Sequence, residues 1–192
     1  MNKRTVFLLF CALALVQLLV PAWMIGRSEV VLATGKAFLF KTQPVDPYDA
    51  FRGRYVALRI DPDTMTAPPG QPFYNKKRAY LTLGVDADGF ATVEAIGLRP
   101  PDEGDYLGVD INYVSGDVVH FDYPFDRYYM DEHLAPEAEY AYNRLNWNPE
   151  DEAKAYVAVR VRGGYGVLEE LYLDGLPVQE YLEAKAAEQD KE

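Results

Sequence analysis

The sequence predicts a mainly β (α+β) protein. It has a single antiparallel β-rich domain with a helical insertion, preceded by one N-terminal transmembrane helix. Two observations support this prediction. Residues 6–25 are a run without any charged side chain. After that run, apolar residues alternate at a period of two between turns rich in glycine and proline. With 192 residues the chain has room for one domain and an appendage.

The uncharged run is long enough to cross a bilayer. Residues 6–25 correspond to about 30 Å of α-helix, the thickness of a hydrocarbon core. Trp23 lies near the end of the run, where an indole ring suits the lipid–water interface. Lys3 and Arg4 precede the run and favour a cytoplasmic N-terminus, so the rest of the chain is expected outside the cytoplasm. Arg27, Lys36 and Lys41, which follow the run, weaken this bias.

A cleaved secretory signal is the alternative to a retained anchor. The best candidate cleavage site is Val-Leu-Ala at residues 31–33, but Arg27 and Glu29 separate it from the apolar run. The run is also longer than the apolar part of a typical signal peptide. We therefore expect residues 1–27 to be a retained transmembrane anchor.

The charge of the remaining chain excludes some classes of ligand. Lys3 and Arg4 are the only charged residues before residue 26, which leaves 17 of the 19 basic residues and all 30 acidic residues in the remainder. The formal charge of that part is −13. Nucleic acid and anionic lipid surfaces both require a positive partner, so this acidic domain is a poor candidate to bind either, and no nucleic acid is expected to bind it. A solvated surface is enough to explain the acidity. Binding of a basic partner or of divalent cations is the more specific alternative explanation.

Seven segments carry the strand pattern, several of them joined by tight turns such as Asp-Gly and Gly-Gly. They are residues 54–60, 79–85, 90–98, 106–113, 117–123, 155–162 and 165–173. In the first of them, Val56, Leu58 and Ile60 share one face and are expected to face the core.

A single amphipathic helix is predicted to begin at Pro136, since proline suits the first turn of a helix. The chain is expected to comprise the anchor, a β-rich domain over residues 28–178, and a polar tail over residues 179–192 that frays. Whether the sheets form a closed barrel or a sandwich stays open.

The first strand segment and its lead-in carry a family resemblance. The stretch P-V-D-P-Y-D-A-F-R-G-R-Y-V-A-L at residues 44–58 resembles the signature of the bacterial GDYXXLXY family. The resemblance implies a membrane segment followed by an extracytoplasmic β-rich domain at the cytoplasmic membrane. It also implies an association with multi-spanning membrane proteins, and no established activity. Gly53, Tyr55 and Leu58 match the motif, whereas Arg54 replaces its aspartate and Ile60 its final tyrosine.

Catalytic chemistry has few candidate residues in this sequence. Ser115, His120 and Asp122 could form a triad, but residues on one hairpin seldom converge. The only cysteine, Cys11, lies in the apolar run. Two residue pairs have spacings that could bind a metal ion, namely His120 with Asp122 and His133 with Glu137. Two histidines are few for a zinc site, however. We expect no cofactor and no metal.

Aromatic side chains are the more unusual feature, with 15 tyrosines in the chain. They crowd residues 123–147, and packing explains many of them. The candidate binding residues are Arg52, Tyr123, Tyr128, Tyr129 and Trp147. The function expected is that of a non-enzymatic interaction or accessory subunit of an envelope or membrane protein. An envelope glycan-binding module using the tyrosine-rich segment is the alternative, and a hydrolase using His120 and Asp122 is a third.

Overall fold

A computed structural model describes residues 2–44, 55–147 and 154–189 of the chain. Three helices and twelve strands lie within these ranges. In chain order they are α1 (Lys3–Thr34), β1 (Lys36–Gln43), β2 (Tyr55–Ala57), β3 (Arg59–Ile60), β4 (Thr64–Thr66), β5 (Arg78–Val85), β6 (Ala91–Gly97), β7 (Asp105–Ser115), β8 (Val118–Asp122), β9 (Arg127–Tyr129), α2 (Ala135–Leu145), β10 (Ala155–Arg162), β11 (Tyr165–Leu173), β12 (Leu176–Pro177) and α3 (Val178–Gln189).

Helix α1 is, among the described residues, the one helix long and apolar enough to cross a membrane. It continues past the apolar run to Thr34, and its last turns contact β10 and β11. Val31, near its end, is only 4% exposed. The helix ends at Gly35, where a Cβ atom would lie 2.5 Å from the Val31 carbonyl oxygen. Only glycine fits this exit, from which β1 starts directly.

Two five-stranded antiparallel sheets contribute side chains to one hydrophobic core. One sheet has the strand order β12-β11-β10-β1-β3, the other β4-β8-β7-β5-β6. Single bridges, Leu39 with Phe90 and Leu107 with Gly164, join the two sheets. The largest fully buried side chains come from both sheets and form one core with the helices, as shown by Phe38, Phe40, Leu81, Leu107, Phe121, Leu171 and Leu173.

The strand pattern read from the sequence is confirmed with small changes at the ends of the strands. The first segment differs most, because it divides at Leu58 into β2, which pairs with β9, and β3, which pairs with β1. Leu58 lies at the crossing, and its amide donates to the Asp126 carbonyl. Val56, Leu58 and Ile60 are all buried, so the prediction of their core-facing side is confirmed.

Four strands, β1, β4, β9 and β12, lie outside the seven predicted segments. Strands β4, β9 and β12 are only two or three residues long, which is too short for alternation to be recognised in the sequence. Strand β9 pairs with β2, with Tyr55 opposite Tyr129 and Ala57 opposite Arg127.

Helix α2 is tied to the first sheet by a chain of buried polar groups. The Tyr142 hydroxyl donates to the Gln43 carbonyl at 2.7 Å and accepts from the Arg59 amide at 3.4 Å. The Asn146 amide donates to the Thr42 hydroxyl at 3.0 Å. That hydroxyl in turn donates to the Ala155 carbonyl at 2.8 Å. Each of these buried polar groups therefore has a partner.

The C-terminal helix α3 is docked instead of frayed over its first turns. Val178, Tyr181 and Leu182 are buried and belong to the core. Their spacing places them on one face of the helix. Because acidic residues surround them, the average composition of the segment is polar and does not reveal this apolar face.

Replacing Tyr142 by Phe tests the polar link between α2 and the first sheet. We expect a loss of about 1–3 kcal/mol in the free energy of unfolding, because the Gln43 carbonyl and the Arg59 amide lose a buried partner. Tyr140→Phe is the matched control: its ring is 68% exposed, and a change within about 0.5 kcal/mol is expected. Urea unfolding in mild detergent, followed by circular dichroism, measures both. Equal effects of the two variants would contradict the role of the link.

Alkaline pH tests the buried Tyr123. Burial, and then the Asp61 and Asp63 carboxylates, raise the pKa of Tyr123. An unfolded tyrosine ionises near pH 10. Between that pH and the raised pKa, the unfolded chain gives up a proton that the folded protein keeps. The free energy of unfolding therefore falls with rising pH, by up to about 1.4 kcal/mol per pH unit for this group. Below pH 10 both states keep the proton.

Tyr123→Phe should make this alkaline decline shallower. At neutral pH the same variant should lose about 1 kcal/mol, because the Tyr123 hydroxyl donates to the Pro62 carbonyl at 2.9 Å. Unfolding curves from pH 8 to pH 11 measure both effects. Tyr140→Phe is again the control and should keep the wild-type slope. An unchanged slope in Tyr123→Phe would show that this hydroxyl ionises in the folded protein as readily as in the unfolded chain.

Candidate functional site

The segment from Tyr55 to Ile60, called the motif strand below, separates two surface features. On one side lies a patch of aromatic and arginine side chains, on the other a groove. The two sides arise because β2 and β3 pair with different partners, so the chain presents Tyr55 to one surface and Arg59 to the other. Leu58 between them is buried and belongs to the core.

The aromatic–arginine patch consists of Tyr55, Arg127 and Tyr129 on the outer face of β2 and β9. The rings of Tyr55 and Tyr129 lie 5.7 Å apart at an angle of 60°. The Arg127 guanidinium carbon lies 5.2 Å from the centre of the Tyr55 ring, within the range of a cation–π interaction. Tyr129 is 68% exposed. The patch therefore offers preordered rings and a cation to the solvent.

The neighbours of Arg127 keep it charged and positioned. A hydrogen bond with the Tyr129 side chain, followed by the Asp126 carboxylate, raises the pKa of Arg127. Arg127 Nε and an Asp126 carboxylate oxygen are 3.7 Å apart. Tyrosine and arginine are enriched at protein interfaces, because they combine a large apolar area with a polar end.

The groove on the other side has a volume of about 650 Å³. Its floor is apolar and buried, formed by core side chains such as Phe121, Tyr123 and Phe125. His120 and Tyr113 stand on its wall with stacked rings, 4.0 Å apart at 16°. Asp126 lines the groove and also contacts Arg127, so the groove and the patch are continuous around the motif strand.

Carboxylates dominate the charge of the groove. Asp63, Asp122 and Asp126 line it together with one cation, Arg59. Arg59 is already paired with Asp63, at 2.9 Å. Asp122 has no ion-pair partner among the residues that the structure describes. The groove therefore favours a positively charged ligand with an apolar portion.

The residues of the proposed triad are only partly brought together. His120 and Asp122 line the groove, but Ser115 is not part of its wall. Ser115 lies at the end of β7 opposite Val118, whereas His120 lies opposite Tyr113. Among the residues that the structure describes, no Ser, Thr, Cys or Lys side chain lines the groove beside His120.

The described residues offer too few ligands for a metal site, and the acidic turn residue Asp86 has a structural role. In the described part of the chain, no group of three or more His, Cys, Asp or Glu side chains is placed to hold a metal ion. Asp86 accepts from the amides of Asp88 and Phe90 and pairs with Lys41. The hydrogen bond from the Phe90 amide is the main cause that lowers the pKa of Asp86. Asp86 thus closes the β5–β6 hairpin, as its turn pattern predicts.

The candidate binding residues have different environments. Tyr123 is 8% exposed and packs against Phe40 and Phe125, so it is part of the groove floor. The Tyr128 hydroxyl donates to a Glu170 carboxylate oxygen at 2.6 Å. In contrast, Tyr129 and Trp147 are 68% and 81% exposed.

Two candidates from the sequence, Arg52 and Gly53, lie outside the described residues. Sequence reasoning missed Arg127, Asp126 and Arg59 as parts of a surface. The residues R-Y-Y at 127–129 contained a usable signal. In a strand, Arg127 and Tyr129 share one face, and the ring of Tyr128 points to the opposite face. A strand of three residues is too short to reveal this pattern without its partner.

Comparison with known proteins assigns the chain to a family. Neither a curated protein sequence nor a solved structure matches it significantly. The profile of the family described as GDYXXLXY protein matches residues 17–171, from within α1 to β11. Tyr55 of the patch and Leu58 of the core stand at the tyrosine and leucine of the motif after which this family is named. The chain belongs to the GDYXXLXY protein family.

Proposed function

We propose that this protein is a membrane-anchored, non-enzymatic docking subunit of a bacterial envelope or membrane protein. Its β-rich domain lies outside the cytoplasm and binds a partner through the surface around the motif strand. The observation that carries the proposal is the continuity of the aromatic–arginine patch with an acidic groove. The partner is a protein segment with basic and apolar side chains.

Retention of the helix is supported by its packing against the domain. Val31 lies inside the candidate cleavage site at residues 31–33 and is 4% exposed. Cleavage there would remove a side chain whose burial contributes about 1.5–3 kcal/mol. The family match also begins within α1. The helix is thus proposed to act as both anchor and structural element.

The proposed orientation is supported by the two basic residues that precede the anchor. Lys3 and Arg4 favour the cytoplasmic side for the N-terminus, and the acidic domain then lies on the other side. Asp102 is exposed in a loop, and Cys11 in the apolar run is the only native cysteine. Labelling of Asp102→Cys in spheroplasts by a membrane-impermeant maleimide checks the orientation. Labelling only after lysis would reverse it.

The chemistry of the surface decides the type of partner. Tyr129 and Tyr55 offer aromatic area that is already ordered by their mutual contact, which lowers the entropy cost of binding. Asp122 and Asp126 offer negative charge beside it. A basic, partly apolar segment satisfies both features, and such complementarity directs association and selects the partner.

Site-specific photocrosslinking tests the docking surface in native membranes. A photoreactive phenylalanine analogue at position 129 should give a discrete adduct. The same analogue at Val85, which is 53% exposed at the end of β5, should give none. Asp122→Asn combined with Asp126→Asn should weaken the adduct at position 129 by about fivefold or more, since two complementary charges are lost.

The matched control is Asp102→Asn combined with Glu103→Gln, which removes the same charge outside the groove. This pair should leave the adduct unchanged. Equal adducts at positions 129 and 85, or equal effects of the two charge pairs, would contradict the proposal. An adduct to glycan instead of protein would favour an envelope polymer as the ligand.

A further inference from the structure

A second crevice lies between the end of α1 and the turn that joins β10 to β11. Its volume is about 480 Å³. Its walls include Trp23, Arg27 and Val30 from the helix, and Arg162 and Tyr165 from the hairpin. It shares no residue with the patch or the groove around the motif strand.

The position of the crevice along α1 places it at the level of the lipid headgroups. Arg27 is the first charged residue after the uncharged run of residues 6–25. Trp23 lies one turn earlier, at the depth where indole rings concentrate in membrane proteins. With α1 across the bilayer as proposed above, the wall at Trp23 would face the acyl region and the wall at Arg27 would face the phosphates.

Two arginines in the crevice are ordered without a carboxylate partner. The Arg27 guanidinium carbon lies 4.2 Å from the centre of the Tyr165 ring and 5.7 Å from that of Trp23. Arg162 donates to the Thr34 hydroxyl. Neither arginine forms an ion pair with any residue that the structure describes.

In contrast, neighbouring cations on β10 and on the adjacent strand β1 form ion pairs. Arg160 pairs with Glu169 at 2.6 Å, and Lys36 pairs with Asp105 at 2.7 Å. The part of the chain beyond the anchor carries a formal charge of −13. Within the described part of the chain, two ordered guanidinium groups without an ion pair therefore stand near the end of α1 in a strongly acidic protein.

We propose that this crevice binds the headgroup of an anionic phospholipid. The planar donors of a guanidinium group match phosphate oxygens in a bidentate geometry. Val30 and the Trp23 ring provide apolar area for the glycerol and the first acyl carbons. The site rests on the proposed retention of α1, because the helix forms one wall. Bound lipid would bridge Arg27 and Arg162, and so strengthen the contact between helix and domain.

Native mass spectrometry of the full-length protein tests the site. The protein is released from nanodiscs of equal parts phosphatidylglycerol and phosphatidylcholine, and the lipids that stay bound are identified. Wild type should retain phosphatidylglycerol in preference to phosphatidylcholine. Arg27→Gln combined with Arg162→Gln should lower this retention by about tenfold, as expected for the loss of charge-assisted hydrogen bonds.

Two further variants separate this effect from misfolding and from bulk charge. Arg27→Gln alone leaves the Arg162 contact to Thr34 intact and should reduce retention in the same direction. Lys76→Gln combined with Lys77→Gln removes two exposed charges far along the chain, before β5, and should leave retention unchanged. Unchanged retention in both arginine variants, or equal retention of the two lipids, would overturn the inference.

The same spectra distinguish this inference from the proposed function. The intact mass shows whether residues 1–33 are present. Their loss would overturn both proposals, whereas their presence without preference for phosphatidylglycerol would overturn only the lipid site. Inorganic phosphate is tested separately, on lipid-free protein in detergent. An increase in Tm with phosphate that requires Arg27 and Arg162 would assign the site to a soluble anion and overturn the lipid.

Discussion

The contact between the end of α1 and the β10–β11 hairpin is the interaction on which the rest of the structure depends. The helix leaves the apolar run, buries Val31 against the sheet, and ends at Gly35, from which β1 begins at once. No flexible linker separates the apolar helix from the domain. Strand β1 is therefore positioned by the helix, and β10 and β3 are positioned by that strand.

This constraint explains how a small domain can present a surface in a defined place. The strand β1 pairs with β3 at its far end, and β3 is the second half of the motif strand. The patch and the groove thus lie about one strand length beyond the helix exit. The eight residues of β1 correspond to about 25 Å. A partner in the same membrane would meet this surface at a set height above the bilayer, which favours docking over capture of free ligands.

Much of the fold followed from the sequence because its strands carry regular alternation and its turns carry Gly or Asp-Gly. The division of the motif strand at Leu58 did not follow, because alternation continues through residues 55–60 while the partner strand changes. The docking of helix α3 against the core was not predicted for a related reason. Val178, Tyr181 and Leu182 form one apolar face within a segment that is polar on average. The exposed binding candidates, Tyr129 and Trp147, could be named from the sequence. Their relation to Arg127 and Asp126 depends on pairing across the sheet, which a single sequence does not encode locally.

The family motif has two physical roles in this chain. Leu58 packs in the core at the point where the strand crosses between sheets, whereas Tyr55 lies in the patch against Tyr129. The substitution of Arg54 for the aspartate of the motif removes a carboxylate from this segment, so a mechanism based on that carboxylate does not apply here. The motif thus describes a structural crossing, and one of its faces carries the proposed docking patch.

We expect α1 and the β-rich domain to move as one rigid body. The full-length protein is spin-labelled at Cys11 and at Asp102→Cys and reconstituted in nanodiscs. Pulsed electron–electron double resonance then measures the distance between the label on the helix and the label on the domain. A single narrow distance distribution is predicted, which broadens when Val31→Asp breaks the contact between helix and sheet. A broad distribution in the protein with native Val31, unchanged by Val31→Asp, would contradict the account.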